Sequence, residues 1–497
     1  MNHPSPEELA VDAGRRLAEL LALGRPLTTK ERLAIPVQEM PAQDPVQRRS
    51  NMHEVALGYG PEQARLEALR CLQCRNAPCV AGCPVRIDIP AFLRAAAEGE
   101  FQQAIDIIKR ASLLPAVCGR VCPQEVQCQA ECTVGKALKD RARAVSIGRV
   151  ERFVADWERA QGHVRRPEVR PATGRKVAVV GSGPAGITVA ADVRREGHQV
   201  VIFEALHKPG GVLMYGIPEF RLPKRIVRAE IEALQAMGVE VVTNFLVGRT
   251  RKLRDLLEQD GFDAVFVGSG AGLPRFMNVE GENLVGVFSS NEYLTRVNLM
   301  RAYDVQHADT PIFRARRVAV LGGGNVAMDA ARCAVRLGAE EVHLLYRRTE
   351  AEMPARVEEV AHAKEEGVQF HLLQNVKRIL GDEHGRVRAV EVLRYELGAP
   401  DESGRRRPVP IPGSEFVMEV DSVIVAIGND SNPLIPRTTE GLRTDKYGHI
   451  VVDERGQTSL ERVFAGGDIV LGSATVILAM GEGRRAAAAI NELLRSR

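Results

Sequence analysis

An α-helical N-terminal domain followed by two parallel α/β domains, the second inserted within the first, is the architecture this sequence predicts. Three observations carry it. Eight of the nine cysteines fall between positions 71 and 132, short β-branched runs alternating with Ala-rich segments begin only after residue 168, and two of those runs lead into glycine-rich turns. Alternation of that kind marks parallel α/β construction.

Composition sets the limits. A chain of 497 residues has room for about three domains, and 45% hydrophobic with 26% charged residues is ordinary for a water-soluble protein. The 67 basic and 64 acidic residues leave a net charge of +3, too even to argue for nucleic acid or lipid as a partner. No uncharged apolar run approaches the roughly 18 residues of a membrane span. The polar opening MNHPSPEELAVDAGRR has no signal-peptide core, so a reducing, cytoplasmic setting is expected.

Residues 1–168 read as helices and loops, with PEELAVDAGRRLAELLALG, FQQAIDIIKRA and GRVERFVADWERA as helical stretches and HVRRPEVRPATGR as a linker. Between them lie two cysteine runs. The first is Cys71, Cys74, Cys79, Cys83-Pro84; the second is Cys118, Cys122-Pro123, Cys128, Cys132. Closely spaced thiolates with a terminal Cys-Pro are what an iron–sulfur cluster requires, and the Cys-Pro suggests a thiol that crosses to a second cluster. The first run has two more residues before its third cysteine than the bacterial ferredoxin pattern. Disulfides suit short secreted chains, and structural zinc favours paired CxxC knuckles, so both readings are disfavoured. Cys333, in the apolar stretch AMDAARCAVRLG, is expected to be a packed core residue.

The first α/β unit, KVAVVGSGPAGITVAADVRREGHQVVIFEA, runs from a strand into Gly181, Gly183, Pro184, Ala185 and Gly186, then a helix, a second strand and Glu204. The glycines permit a tight turn, close approach of backbone to a pyrophosphate and close helix packing, while the acid accepts from a ribose. The second unit, RRVAVLGGGNVAMDAARCAVRLGAEEVHLLYRRTE, repeats this with Gly322, Gly324, Asn325, Val326 and Ala327, but ends in Arg347 and Arg348 where the first has an acid. A guanidinium binds a 2′-phosphate that a carboxylate would repel, so the first unit suits FAD and the second NADPH, with Arg356 a weaker third contact. The segment VFAGGDI, with Gly467 and Asp468, and the helix after Thr475 are expected to return to the first unit and complete the flavin site. FDAVFVGSGA and DSVIVAIGND read as the crossover strands of the two units. No nucleophile elbow, HExxH or paired carboxylates stand out, and hydride transfer needs orientation rather than acid–base chemistry, so no catalytic residue is expected.

CLQCRNAPCVAGCPVRIDIP, LPAVCGRVCPQEVQC, VAVVGSGPAG, GGVLMYGIPEFRLPK, LGGGNVAMDAAR, YRRTEAEMPAR and VFAGGDIVLGSATVILAMGEGR together resemble the small subunit of NADPH-dependent glutamate synthase. The same module recurs in the large subunit of the electron-bifurcating NADH-dependent ferredoxin:NADP oxidoreductase and in the N-terminal half of dihydropyrimidine dehydrogenase. The resemblance runs from about residue 28 onward. It implies two [4Fe-4S] clusters with interlaced ligands, Cys71, Cys74, Cys79 and Cys132 on one and Cys83, Cys122, Cys128 and Glu151 on the other, with Cys118 the alternative fourth ligand. It also implies that Gly210, Gly211 and Gly216 lie against the flavin. The boundaries expected are 1–168 for the cluster domain, 169–295 and 433–497 for the FAD domain, and 296–432 for the inserted NADPH domain.

Neither a glutaminase nucleophile nor an FMN barrel is legible, so the resemblance implies an electron-input subunit whose acceptor lies on another chain. That acceptor would be an FMN-containing glutamate synthase large subunit. On the alternative, bifurcating reading it would be ferredoxin and a small NAD-binding flavoprotein.

Overall fold

The computed structural model describes residues 4–162, 164, 165, 167–400 and 404–496; His163 and Arg166 of the expected linker lie outside the described residues. The N-terminal domain is helical, as its periodicity predicts. Pro6–Leu21 begins at a capping box between Ser5 and Glu8, which satisfies two main-chain donors reciprocally. Ile89–Glu98 starts on the Asp88 carboxylate and stops at Gly99, whose φ is 88°. The helix Ile147–Ala160 packs on Pro115–Val121 at a point where a Cβ on Gly119 would come within 2.7 Å of Arg152. That close approach brings Glu151 alongside the second cysteine run.

Two five-stranded parallel sheets follow. The first is ordered 463–465, 264–267, 176–180, 199–203, 239–242, and the second 287–289, 422–425, 317–321, 341–346, 369–372. Their central strands, such as Val177–Val180 and Val318–Leu321, are buried throughout, the condition of a parallel sheet covered on both faces. The second sheet is formed wholly between Ala264–Val267 and Val463–Ala465, neighbours in the first. The nucleotide unit starting near residue 287 is therefore an insertion. The crossover strands Ala264–Val267 and Ser422–Val425 each lie next to the first strand of their own unit.

One element was not anticipated. Between 374 and 419 four antiparallel strands fold over the inserted unit, and the main-chain carbonyl oxygen of Arg406 accepts a hydrogen bond from Arg348 Nε at 2.7 Å.

Buried ion pairs join the domains. Glu366, fully buried, accepts from Arg48 of the N-terminal domain at 2.8 Å and from Arg332 and Arg336 of its own unit. Arg221 pairs both oxygens of Asp329 at 2.7 Å. Breaking such a pair strands a buried charge, so these contacts fix how the domains meet.

Candidate functional site: two thiol groups beside two nucleotide turns

Cys71, Cys74, Cys79 and Cys132 line one pocket, whose other walls, from residues such as Pro78, Leu93 and Val145, are apolar. Burial pushes the Cys71 thiol up to about 11 and the Cys79 thiol up to about 12. Four thiols around one apolar pocket match the needs of a polynuclear cluster, whose iron would hold them as thiolates. Among the described residues, no three His, Cys, Asp or Glu side chains converge as ligands of a single ion would.

The second group gathers Cys83, Cys122 and Cys128 with Glu151. Burial raises all three thiols, and each also feels the Glu151 carboxylate; the Cys118 thiol is the first cause for Cys122. Glu151 is 6% exposed and its Oε1 has no hydrogen-bond partner. Burial pushes its carboxyl up to about 8. An orphaned carboxylate among three buried thiols is a donor set lacking an electrophile, which a cluster fits. Cys118 adjoins this group, but its Sγ faces Met480 Sδ at 3.6 Å and Ser112 Oγ at 3.9 Å. Cys333 is fully buried in the inserted unit, as expected of a core residue.

At the first nucleotide turn, Gly181 has φ 97°, and a Cβ on Gly186 would stand 2.0 Å from the Gly181 carbonyl oxygen, so only glycine fits where the helix Pro184–Arg195 meets the turn. Glu204 ends the second strand. Its Oε2 accepts from the Ser182 N–H at 3.0 Å and from the Ser182 hydroxyl, and its Oε1 accepts from the Leu206 N–H at 2.8 Å, which leaves the carboxylate held in one orientation. The Gly210 N–H donates to Ser182 Oγ at 2.8 Å, and Gly211 lies against Gly183, so the Gly-Gly pair closes onto the turn. Lys224, fully enclosed, donates to the carbonyl oxygens of Leu213 and Leu222 at 2.9 and 3.2 Å and also to that of Ile217, while Asn298 Nδ2 donates to those of Tyr215 and Gly216 at 3.3 and 3.2 Å. These two residues fix the segment around Gly216, and sequence reasoning had singled out neither. Lys224 closes the GIPEFRLPK motif and was findable; Asn298 had no local signal.

The late segment arrives where expected. Val463–Ala465 joins the first sheet, Gly467 packs on Ala185, and Asp468 is pushed up to about 6 by burial, which outweighs the N–H of Ala474. Thr475 caps the helix Val476–Arg495, accepting from the Leu478 N–H at 3.3 Å. Gln127, next to Cys128, donates to Thr475 Oγ1 at 3.4 Å, and Gly481 lies against Pro84, next to Cys83. One helix thus touches both the first nucleotide unit and the second thiol group.

In the inserted unit Gly322 has φ 143°, Gly324 caps the helix Asn325–Arg336, Ala327 is buried and Val326 half-exposed. Arg347 is exposed beyond the second strand, and Arg348 is buried under the antiparallel strands. Arg356 does not extend this pair. Its Nη1 donates to the Arg120 carbonyl oxygen at 2.6 Å and its Nη2 pairs with Glu358 at 3.0 Å; only its main-chain N–H reaches the nucleotide turn, donating to Asn325 Oδ1 at 2.9 Å. The expectation of a third phosphate-binding guanidinium has no support in those contacts.

Two nucleotide turns with an interposed second sheet define a dinucleotide-dependent oxidoreductase. Residues 175–491 match the pyridine nucleotide-disulphide oxidoreductase family, and residues 48–163 match dihydropyrimidine dehydrogenase domain II, a 4Fe-4S cluster domain. A structure of Mycobacterium tuberculosis FprA in complex with NADPH superposes over 66% of this chain and 85% of its own with a TM-score of 0.55 at 20% identity, a likeness of fold. The chain is 39% identical to the glutamate synthase [NADPH] small chain of Halomonas elongata, over 91% of this chain and 96% of that one, and 38% identical to the Escherichia coli small chain over 88% and 93%. It is 41% identical to the NADP(+)-dependent formate dehydrogenase subunit beta of Moorella thermoacetica, over 84% of this chain but 60% of that longer one. The chain belongs to the glutamate synthase small-chain family. No described helix is long and apolar enough to cross a membrane.

Proposed function

We propose that this chain oxidises NADPH with FAD and passes the electrons through two [4Fe-4S] clusters to a partner chain. The observation that carries the reading is the helix Val476–Arg495, which links the Ala185 turn to the second thiol group through Gly483, Thr475 and Gly481. An FAD held here would supply the conversion between a two-electron hydride donor and one-electron clusters.

The chain's own residues supply position and charge. The helix starting at Pro184 presents its N-terminus to one pyrophosphate, and the helix starting at Asn325 does so for the other. Glu204 accepts from a ribose, and Arg347 and Arg348 hold the 2′-phosphate. Cys83, Cys122, Cys128 and Glu151 hold the cluster beside the flavin unit; Cys71, Cys74, Cys79 and Cys132 hold the outer one. We place the domain limits at 168, 295 and 432, and the chain in a reducing, cytoplasmic compartment, where its free thiols persist. The acceptor is an FMN-bearing large subunit, in keeping with the small-chain relatives.

Anaerobic stopped-flow with NADPH tests the reading. Flavin bleaching should precede the appearance of reduced-cluster EPR signals, without any partner present. Flavin reduction with clusters left oxidised would overturn it.

A further inference from the structure

We propose that the face around the Cys71, Cys74, Cys79 and Cys132 cavity is a docking surface for an electron-accepting protein with an acidic face. The inference rests on reading that cavity as the outer cluster site.

The segments that line the cavity carry several basic residues next to the lining positions. Arg75 follows Cys74, Arg94 follows the lining residue Leu93 and donates to Gln73 Oε1 at 3.0 Å, Lys139 follows the Cys132–Leu138 turn, and Arg141 and Arg143 precede the lining residue Val145. All five are exposed, and none forms an ion pair among the described residues. Of the acids on the same segments, Glu131 pairs with Lys136 at 2.6 Å, and Asp88 and Asp140 keep their charge while capping the main-chain N–H groups of Ala91 and Ala142, so the five cations remain in excess.

Elsewhere some exposed guanidiniums are held by carboxylates, Arg15 by Asp12 and Glu19 and Arg316 by Glu340. The whole chain carries a net charge of only +3, so five unpaired cations on the segments that line this cavity would concentrate positive charge near the thiols. A surface of one sign around an electron exit steers a partner of the other sign and raises its encounter rate by about 10- to 1,000-fold at low salt.

The test compares native cytochrome c, which is basic, with succinylated cytochrome c, which is acidic, as anaerobic acceptors for the NADPH-reduced holoprotein. The acidic form should be reduced at least about tenfold faster at low ionic strength, and the preference should vanish at high salt. The R75E/R94E/R141E/R143E variant should lose or invert the preference, and the corresponding four-Gln variant should fall between, while flavin reduction by NADPH stays at the wild-type rate. An unchanged preference in the Glu variant, with clusters still reduced by NADPH, overturns the docking surface alone. Failure of NADPH to reduce the clusters in the wild type overturns the reading of the exit, and the proposal with it.

Discussion

The Sγ of Cys118 lies 3.6 Å from the Sδ of Met480, on the helix that also touches the flavin unit. The thiol left over from the expected ligand sets thus touches a sulfur of another element as well as adjoining Cys122, whereas Glu151 Oε1 has no hydrogen-bond partner.

Replacing Glu151 with Ala should alter the EPR signal of one reduced cluster and leave FAD content and the other signal intact. Cys118→Ala should leave both signals near wild type. An altered Cys118 variant beside an unaltered Glu151 variant would reverse the choice of fourth ligand.

Purified anaerobic holoprotein should contain one FAD and about eight iron atoms, two [4Fe-4S] clusters by Mössbauer quantification. Stripping the iron should leave NADPH-driven flavin bleaching in place, because the nucleotide turns are built from residues beyond 175. Zinc in place of iron, or iron for one cluster only, would contradict the two-group arrangement.

Nicotinamide choice should rest on Arg347 and Arg348. Each charge-assisted contact to the 2′-phosphate contributes on the order of 1.5–3 kcal/mol, roughly ten- to a hundredfold in affinity. Ala at both positions should raise the apparent constant for NADPH by that factor per arginine and leave NADH nearly unchanged in stopped-flow flavin reduction. Arg347→Ala alone is the cleaner probe, since Arg348 also holds the Arg406 carbonyl oxygen. Arg356→Ala should change NADPH affinity little and instead loosen contact with Arg120.

Glu366→Gln should destabilise the junction of the inserted unit and the N-terminal domain by about 3–5 kcal/mol, the cost of breaking a buried ion pair. Burial alone would raise this carboxyl, but the Arg332 and Arg336 guanidiniums outweigh it and hold it well below the ordinary carboxylate range. A depressed folded value means stability that is present above the ordinary range and lost as pH falls towards the folded value. Wild type should therefore lose unfolding stability on acidification more steeply than Glu366→Gln, by hydrogen exchange across the helix Val357–Glu365.

Much of this was legible because it is local. The turns at Gly181 and Gly322 follow from strand, spacing and helix within some 30 residues, and the late strand at 463–465 from a single short motif. What was not legible is either long-range or two-faced. Arg48 and Glu366 meet across 318 residues, and no periodicity encodes that. The strands between 374 and 419 have one face towards water, and the strand Val387–Pro400 is half-exposed along its second half, so it lacked the continuous apolar run that betrayed the parallel strands. Arg356 stands beside a nucleotide turn in sequence, but where a long side chain goes is set by its neighbours, here the Arg120 carbonyl oxygen and Glu358.

The helix Val476–Arg495 is translated after every other element described above. A nascent chain reaching residue 432 would already hold every cysteine and both glycine turns, yet it would lack the strand that completes the first sheet and the helix that packs on Ala185 and Pro84. On the ribosome, cluster assembly in the N-terminal helices can therefore proceed while the flavin pocket still stands open. Closure of that pocket waits until this helix has emerged and docked on both the first nucleotide turn and the second thiol group.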